Sequence, residues 1–557
     1  MTRAVSWPGG LAVGLVVVAC SNDLTTPPGA FCLTLTPPLA LSVGMYAAVD
    51  PGVPHLLMNR TLGCVVFAAN PSSTDAAEYL LVPQATTETP DLSSSFKLVG
   101  SAAVAAAPAL SASLESAAPL SSAQRFHDRL RQLERTGAYG SAGLVGASGV
   151  RATVAVGDTG RFKVLNTLTG LTVDMVTATA KQVGQHIAIF IDTGAPRPGL
   201  SAFDLDTLRA VFDTQLYAAD TAAFGRESDV DGNGLVIVLL TNTVNKMSTQ
   251  CASTGSYVAG FFFGGDIDPV FRSRFNSAEI FYAIVPDSLE TLSCQHKTSD
   301  VKLLVPSTFV HEFQHMISYN QHVLLRRGSA EVLWLNEGMS HYAEELGGRT
   351  FLTSNDSASF CRYVLGDLKD AVRYLQALGS HPLVDTAGVG GLAERGAWWL
   401  FVRYLVDQFG QDTSRAAANA FTRKIDQTSL LGTANVSTQT GVPFATLVER
   451  WALANWVSDL PGFTPPAELT YKKWAFRSAY AAVSRWCGSP LGFPLVAPAA
   501  APADVNLSGR MWSGTGAAYQ RVLQAPGDAG FRLGFGDGAG VQLPGALEPR
   551  LNVIRIR

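Results

Sequence analysis

The five residues HEFQH, positions 311–315, constrain this chain more than any other stretch. Only nine histidines occur in 557 residues, and two of them stand four apart around a glutamate. On a helix, positions i and i+4 project from one face, so His311 and His315 stand side by side. Imidazole nitrogens at that spacing can reach one Zn²⁺ at about 2.0–2.1 Å. Glu312 is rotated from His311 by about 100°. From there its carboxylate reaches a water at the metal rather than the metal itself, which is the position of a general base. Val310, Phe313, Met316 and Ile317 supply an apolar stripe, and Pro306 with Ser307 or Thr308 marks the expected start of the helix. The pattern arises by chance often enough that a third ligand is needed before it carries weight.

The stretch LWLNEGMSHYAEEL (333–346) offers that ligand in Glu337. A turn through RRGS (326–329) lets a second helix fold back on the first and bring Glu337 to the two histidines. Two neutral imidazoles and one carboxylate leave a fourth tetrahedral position for water, from which Glu312 removes a proton before attack on a peptide carbonyl.

HEFQH followed by WLNEGMSHYAEE resembles the gluzincin zinc metallopeptidases, the thermolysin-like and aminopeptidase-like clan, and HEFQHMI with WLNEG is closest to its hyicolysin-like members. The resemblance spans roughly residues 180–460, with DVDGNG and GAWWLFVRYLVDQFG as weaker markers. It implies an α+β fold: a thermolysin-like zincin catalytic domain with a mixed sheet followed by helices. It also implies Zn²⁺ as cofactor, a protein or peptide substrate, and the glutamate of the Asn336-Glu337 pair as third ligand. The metzincin pattern is disfavoured, because positions 318 and 321 are Ser and Gln. Two departures stand out. The clan's acidic residue four positions after the ligand glutamate is here His341, so Glu344, further along the same face, is the candidate to orient the first zinc histidine. The residue stabilising the oxyanion is not fixed by any motif; Tyr404, His381, Arg395 and His341 are the candidates. An aminopeptidase of the same clan would carry a Gly-x-Met-Glu-Asn motif, which is absent. The other alternative, an inactive surface-binding protein on a metallopeptidase scaffold, is opposed by the complete set of His311, Glu312, His315 and Glu337.

The N-terminus reads MTRAVSWPGGLAVGLVVVACSNDL. The apolar run from Leu11 to Ala19 is too short to span a bilayer as a helix. Its end, Val17-Val18-Ala19-Cys20, resembles a bacterial lipobox. The expectation is therefore an exported protein, an outer-membrane lipoprotein or an extracellular one, with residues 1–19 as signal peptide and lipid on Cys20 as the sole membrane attachment. Six of seven cysteines remain, and export makes disulfides the natural reading. Pairing by locality gives Cys32–Cys64, Cys251–Cys294 and Cys361–Cys487, one of fifteen connectivities.

With 47% hydrophobic and 15% charged residues, the chain can build ordinary cores, and at net charge −4 without a basic cluster it is not a nucleic-acid binder. Short strand-like runs in 20–100 suggest a β-sandwich-like domain. The Ala/Ser/Pro-rich stretch and the amphipathic SSAQRFHDRLRQLERTG form a linker and short helix over 101–145. Residues 146–464 form the metallopeptidase domain, and 465–557 a small C-terminal β region. DVDGNG places Asp229, Asp231 and Asn233 at alternate positions, as in the first half of a Ca²⁺ loop, but position 240 is Leu and a strand follows. An Asx-rich turn is the favoured reading there and a calcium site the alternative. Likewise FFFGGD (261–266) reads as core in preference to an edge strand lining a cleft. The sequence gives no indication of oligomeric state.

Overall fold

The runs YAAV, GCVVF, AEYLLVPQA and SSSFKLV are too few to close a core by themselves. In the computed structural model they form β1 (Tyr46–Val49), β2 (Gly63–Phe67), β3 (Ala77–Ala85) and β4 (Ser93–Val99). The structure describes residues 37–50, 63–101, 120–139, 153–249, 251, 255–386, 390–410, 415–474, 476–537 and 543–557. The expected signal segment, Cys20 and Cys32 lie outside them.

The middle of the chain builds a second, mixed sheet from β5 (Thr159–Leu165), β6 (Val173–Val183), β7 (Ile187–Asp192), β8 (Val236–Leu240), β9 (Gly260–Phe262) and β10 (Ile280–Ala283), in the order β5-β6-β7-β8-β10-β9. The parallel strands β7, β8 and β10 lie at its centre. The run VIVLL in β8 is buried throughout, as expected for a strand covered on both faces. The short antiparallel β9 forms the edge, yet Phe261, Phe262 and Phe263 are all buried.

Seven helices shape what lies on that sheet: α1 (Ser122–Thr136), α2 (Ala202–Val211), α3 (Tyr217–Phe224), α4 (Thr298–Tyr319), α5 (Leu333–Leu352), α6 (Ser357–Gln376) and α7 (Leu392–Phe409). A capping box between Ser121 and Gln124 starts α1, and Gly137 ends it at φ 63°, a left-handed conformation that glycine adopts without cost. Pro306 does not start the HEFQH helix. α4 begins at Thr298 and carries Pro306 in its interior, where the ring forgoes one backbone hydrogen bond. Apolar burial outweighs that loss: Phe309 stacks on Phe212 and Phe313 on Tyr217, while Phe281 of β10 meets Phe309 edge-on. A turn then reverses the chain into α5. A Cβ at Gly338 would stand 2.9 Å from the Trp398 carbonyl oxygen, so glycine there lets α7 pass close to α5.

The chain's end returns to the first strands. β11 (Ala499–Ala500), β12 (Asn506–Trp512), β13 (Thr515–Gly516), β14 (Gln520–Gln524), β15 (Phe531–Gly536) and β16 (Pro549–Arg555) complete two sheets, β1-β16-β3-β14-β11 with β13 on β3, and β12-β4-β15-β2. The two end segments, read separately in the sequence, thus pair strand by strand. Together they enclose a core that includes Phe67, Leu81, Phe96, Met511, Leu533 and Val553. The architecture is mixed α+β. Among the described residues no helix is long and apolar enough to cross a membrane.

Candidate metal centre

His311 and His315 leave the same face of α4, and α5 brings Glu337 against them. The two Nε2 atoms lie 3.2 Å apart, and each lies 3.5 Å from an oxygen of Glu337, Oε2 for His311 and Oε1 for His315. Bonds of about 2.0–2.1 Å directed to the corners of a tetrahedron put ligand atoms about 3.3 Å apart. The two imidazole nitrogens are thus spaced as two corners of a zinc tetrahedron, the Glu337 carboxylate turns one oxygen toward each of them, and two imidazoles with a carboxylate are the donor chemistry of an open zinc site. All three side chains are buried, with His311 the most exposed at 9%.

The outer nitrogens are held as well. His311 Nδ1 lies 2.8 Å from Glu344 Oε1. His315 Nδ1 lies 2.6 Å from Asn336 Oδ1 and 3.0 Å from Ser340 Oγ. With each Nδ1–H donating to these oxygens, Nε2 is the nitrogen that each ring turns toward the other donors. Burial lowers the pKa of His315 to about 4, assisted by the charge of Arg131, so its ring is neutral and ready to ligate. Burial also opposes charge on His311, but hydrogen bonds to Glu337 and Glu344 overcome it and raise the ring to about 9. That surrounding favours positive charge at the point where a divalent cation would sit.

Glu312 is 1% exposed and points away from the triangle's edge toward β9 and α1. Its Oε2 accepts from the Phe262 N–H at 3.0 Å, and its Oε1 lies 3.3 Å from His127 Nδ1. Burial would raise its pKa, but the His127 contact, followed by the positive charge of Arg131, holds it well below the usual carboxylate range. α1 makes three more contacts here. Arg131 Nη2 donates to the Phe262 carbonyl at 3.1 Å, Glu134 Oε1 accepts from the Gly264 N–H at 3.1 Å, and Asp128 Oδ1 accepts from Arg395 Nη2 at 2.8 Å. The other arm of Arg395 donates to Glu337 Oε2.

The remaining candidates divide. Arg395 touches Glu337 and Glu344 touches His311. His341 Nδ1 bridges Glu344 Oε1 at 3.0 Å and Asp367 Oδ1 at 2.9 Å. Tyr404 and His381 are committed elsewhere: the Tyr404 hydroxyl donates to the Glu468 carbonyl, and His381 Nδ1 lies 2.6 Å from Glu394. Neither makes a contact with the triangle. Asp229, Asp231 and Asn233 belong to the loop before β8, described below. Disulfides join Cys251 to Cys294 and Cys361 to Cys487, as locality suggests. Cys64 is disulfide-bonded, and the partner expected for it, Cys32, lies outside the described residues.

Sequence reasoning read α1 as a short helix but missed its place at the site. His127, Arg131 and Glu134 are spaced i, i+4 and i+7, one polar stripe on a helix whose Phe126 and Leu130 are buried. A second polar face on a helix assigned to a linker was the available signal. The sequence reading of FFFGGD as core agrees with the burial of Phe261, Phe262 and Phe263, and β9 is a sheet edge as well, covered by α4 and by contacts from α1.

No protein-family profile matches the chain. It is 32% identical over 136 residues to the neutral metalloprotease ShpI of Staphylococcus hyicus. The match covers 24% of this chain and 29% of that protein, so the chain spans under a third of the curated relative. It supports a relationship to metalloproteases.

Proposed function

We propose that this chain is an exported, zinc-dependent endopeptidase of gluzincin type, closest to the hyicolysin-like peptidases. The observation that carries the reading is the convergence of His311, His315 and Glu337, the two Nε2 atoms 3.2 Å apart and each 3.5 Å from a different Glu337 oxygen, beside the buried Glu312 carboxylate. The partial similarity to a metalloprotease supports it independently.

His311 Nε2, His315 Nε2 and the Glu337 carboxylate would hold the zinc, which when bound supplies Lewis acidity to the scissile carbonyl and to water. Glu344 and Asn336 fix the two rings by accepting from their Nδ1–H groups. Arg395 neutralises and orients Glu337 from behind. Glu312 takes a proton from the attacking water at a carboxylate oxygen and returns it to the amine nitrogen as the C–N bond breaks. Its depressed pKa keeps it ionised, and so able to accept, at neutral pH.

An extended peptide binds such a sheet by adding to its edge, here β9. In this structure the Phe262 N–H and carbonyl are both occupied, by Glu312 and Arg131, so α1 and the substrate compete for the same edge. On this reading the arrangement with α1 in place is a closed form, and substrate entry requires α1 to give up its contacts. Endopeptidase activity is favoured over aminopeptidase activity because the chain lacks a Gly-x-Met-Glu-Asn amine-binding motif. Lipidation at Cys20, with 1–19 removed, is the proposed route to the cell surface.

The test is Glu312→Gln assayed by casein zymography with and without chelator. Chelator-sensitive proteolysis should be present in the unsubstituted chain and absent in the variant, with zinc content unchanged. Near-normal turnover by the variant would remove Glu312 as the base.

A further inference from the structure

The loop SDVDGNG and the strand β10 meet at the N-terminal end of the central sheet. One carboxylate oxygen each from Asp229, Asp231 and Glu279 lie within 4.8 Å of one another. Glu279 is remote in sequence and only 1% exposed. Its Oε1 accepts from the Val230 N–H at 3.0 Å and from the Ser228 hydroxyl, whereas its Oε2 has no hydrogen-bond partner among the described residues. Leaving a carboxylate oxygen buried and unpaired costs free energy that a bound cation would recover. None of the three carboxylates forms an ion pair with Lys or Arg among the described residues. Arg226 nearby pairs with Glu227 instead.

We propose that Asp229, Asp231 and Glu279 form a calcium site that clips β8 to β10. The donors are all oxygens, which suits a hard cation and not zinc. Calcium tolerates the irregular geometry of a loop plus a strand end, whereas magnesium demands near-ideal octahedra. The glycines of the loop serve the turn: Gly232 and Gly234 sit at φ 73° and 70°, which side chains larger than glycine rarely adopt. Asn233 does not act as a ligand here, contrary to the EF-hand-like expectation from spacing. Its Oδ1 accepts from the Leu235 N–H at 2.6 Å and its Nδ2 donates to Asp231, so it shapes the loop. Glu279 takes the place of the missing terminal glutamate, supplied from a neighbouring strand.

The mechanical consequence follows from register. Ile280 of β10 lies opposite Ile237 of β8, and the Ile237 N–H donates to the Glu279 carbonyl at 2.8 Å. A cation held by both segments ties the starts of two parallel strands that no short turn connects.

The site is independent of the peptidase reading, so the Glu312→Gln chain, which cannot digest itself on that reading, is the material to use. Calcium is removed, then titrated back while melting temperature and elemental calcium and zinc are followed. About one equivalent of Ca²⁺ should bind saturably and raise Tm, with Mg²⁺ at equal concentration giving a much smaller rise. Glu279→Gln and the more exposed Asp229→Asn should each abolish the rise; Asp229→Asn decides the matter if Glu279→Gln does not fold. No saturable calcium uptake, or uptake and Tm shift unchanged in Asp229→Asn, would overturn the proposal.

Discussion

His127 Nδ1 lies 3.3 Å from Glu312 Oε1, so a residue of α1 rests against the carboxylate assigned as the base. Burial opposes ionisation of Glu312, and the His127 contact is foremost among the influences that overcome it. Removing the imidazole takes away part of what favours the charged form, so the pKa of Glu312 rises. In His127→Ala the acid limb of the kcat/KM profile should therefore move to higher pH. A limb that stays in place would show that His127 does not tune the base.

The hydrogen bonds from Arg131 to Phe262 and from Gly264 to Glu134 close α1 over β9. The double variant Arg131→Ala, Glu134→Ala removes both without leaving a buried unpaired carboxylate. It should raise kcat/KM for an extended peptide by about 10-fold, the equivalent of ~1.4 kcal/mol of closing contacts. A fall in kcat/KM would instead make α1 part of the substrate-binding surface.

Glu344 Oε1 lies 2.8 Å from His311 Nδ1, on the side of the ring away from the proposed zinc. Replacing it with alanine should weaken zinc binding about 10–100-fold without abolishing it, since the three donors remain. Competition against a chromogenic chelator measures this. An unchanged affinity would return Glu344 to the role of a partly buried charge held by His341.

Asp426 is buried beside His322, and burial raises its pKa to about 8 from a usual value of 3.8. The folded state then binds the proton more tightly than the unfolded one, so this group costs stability as pH rises between roughly 4 and 8. Asp426→Asn removes the titration. Its Tm relative to the unsubstituted chain should climb across that window, and a pH-independent difference would contradict the assignment.

How much of this was legible in the sequence depends on the range of each interaction. His311, Glu312 and His315 share one helix by local spacing and one short turn returns Glu337 to them, so the meeting of the proposed donors was legible from local rules. The Cys251–Cys294 and Cys361–Cys487 bridges followed from locality alone. Pro306 misled because a proline usually marks a helix start, and here the aromatic packing of Phe309 and Phe313 carries the helix through it. Glu279 could not be joined to the DVDGNG loop, because their meeting depends on the parallel register of β8 and β10. The pairing of β3 with β14 and β16 joins segments more than four hundred residues apart, which no periodicity encodes. α1 was recognised as a helix, but its polar stripe acquires meaning only once β9 is known to lie beneath it.

Elemental analysis of the purified protein, with and without Glu337→Ala, bears most directly on the metal centre. About one zinc per chain is expected in the unsubstituted protein and in Glu312→Gln, with a marked fall in Glu337→Ala. Full zinc occupancy in Glu337→Ala, or no zinc in the unsubstituted chain after growth in zinc-replete medium, would contradict a site built from His311, His315 and Glu337.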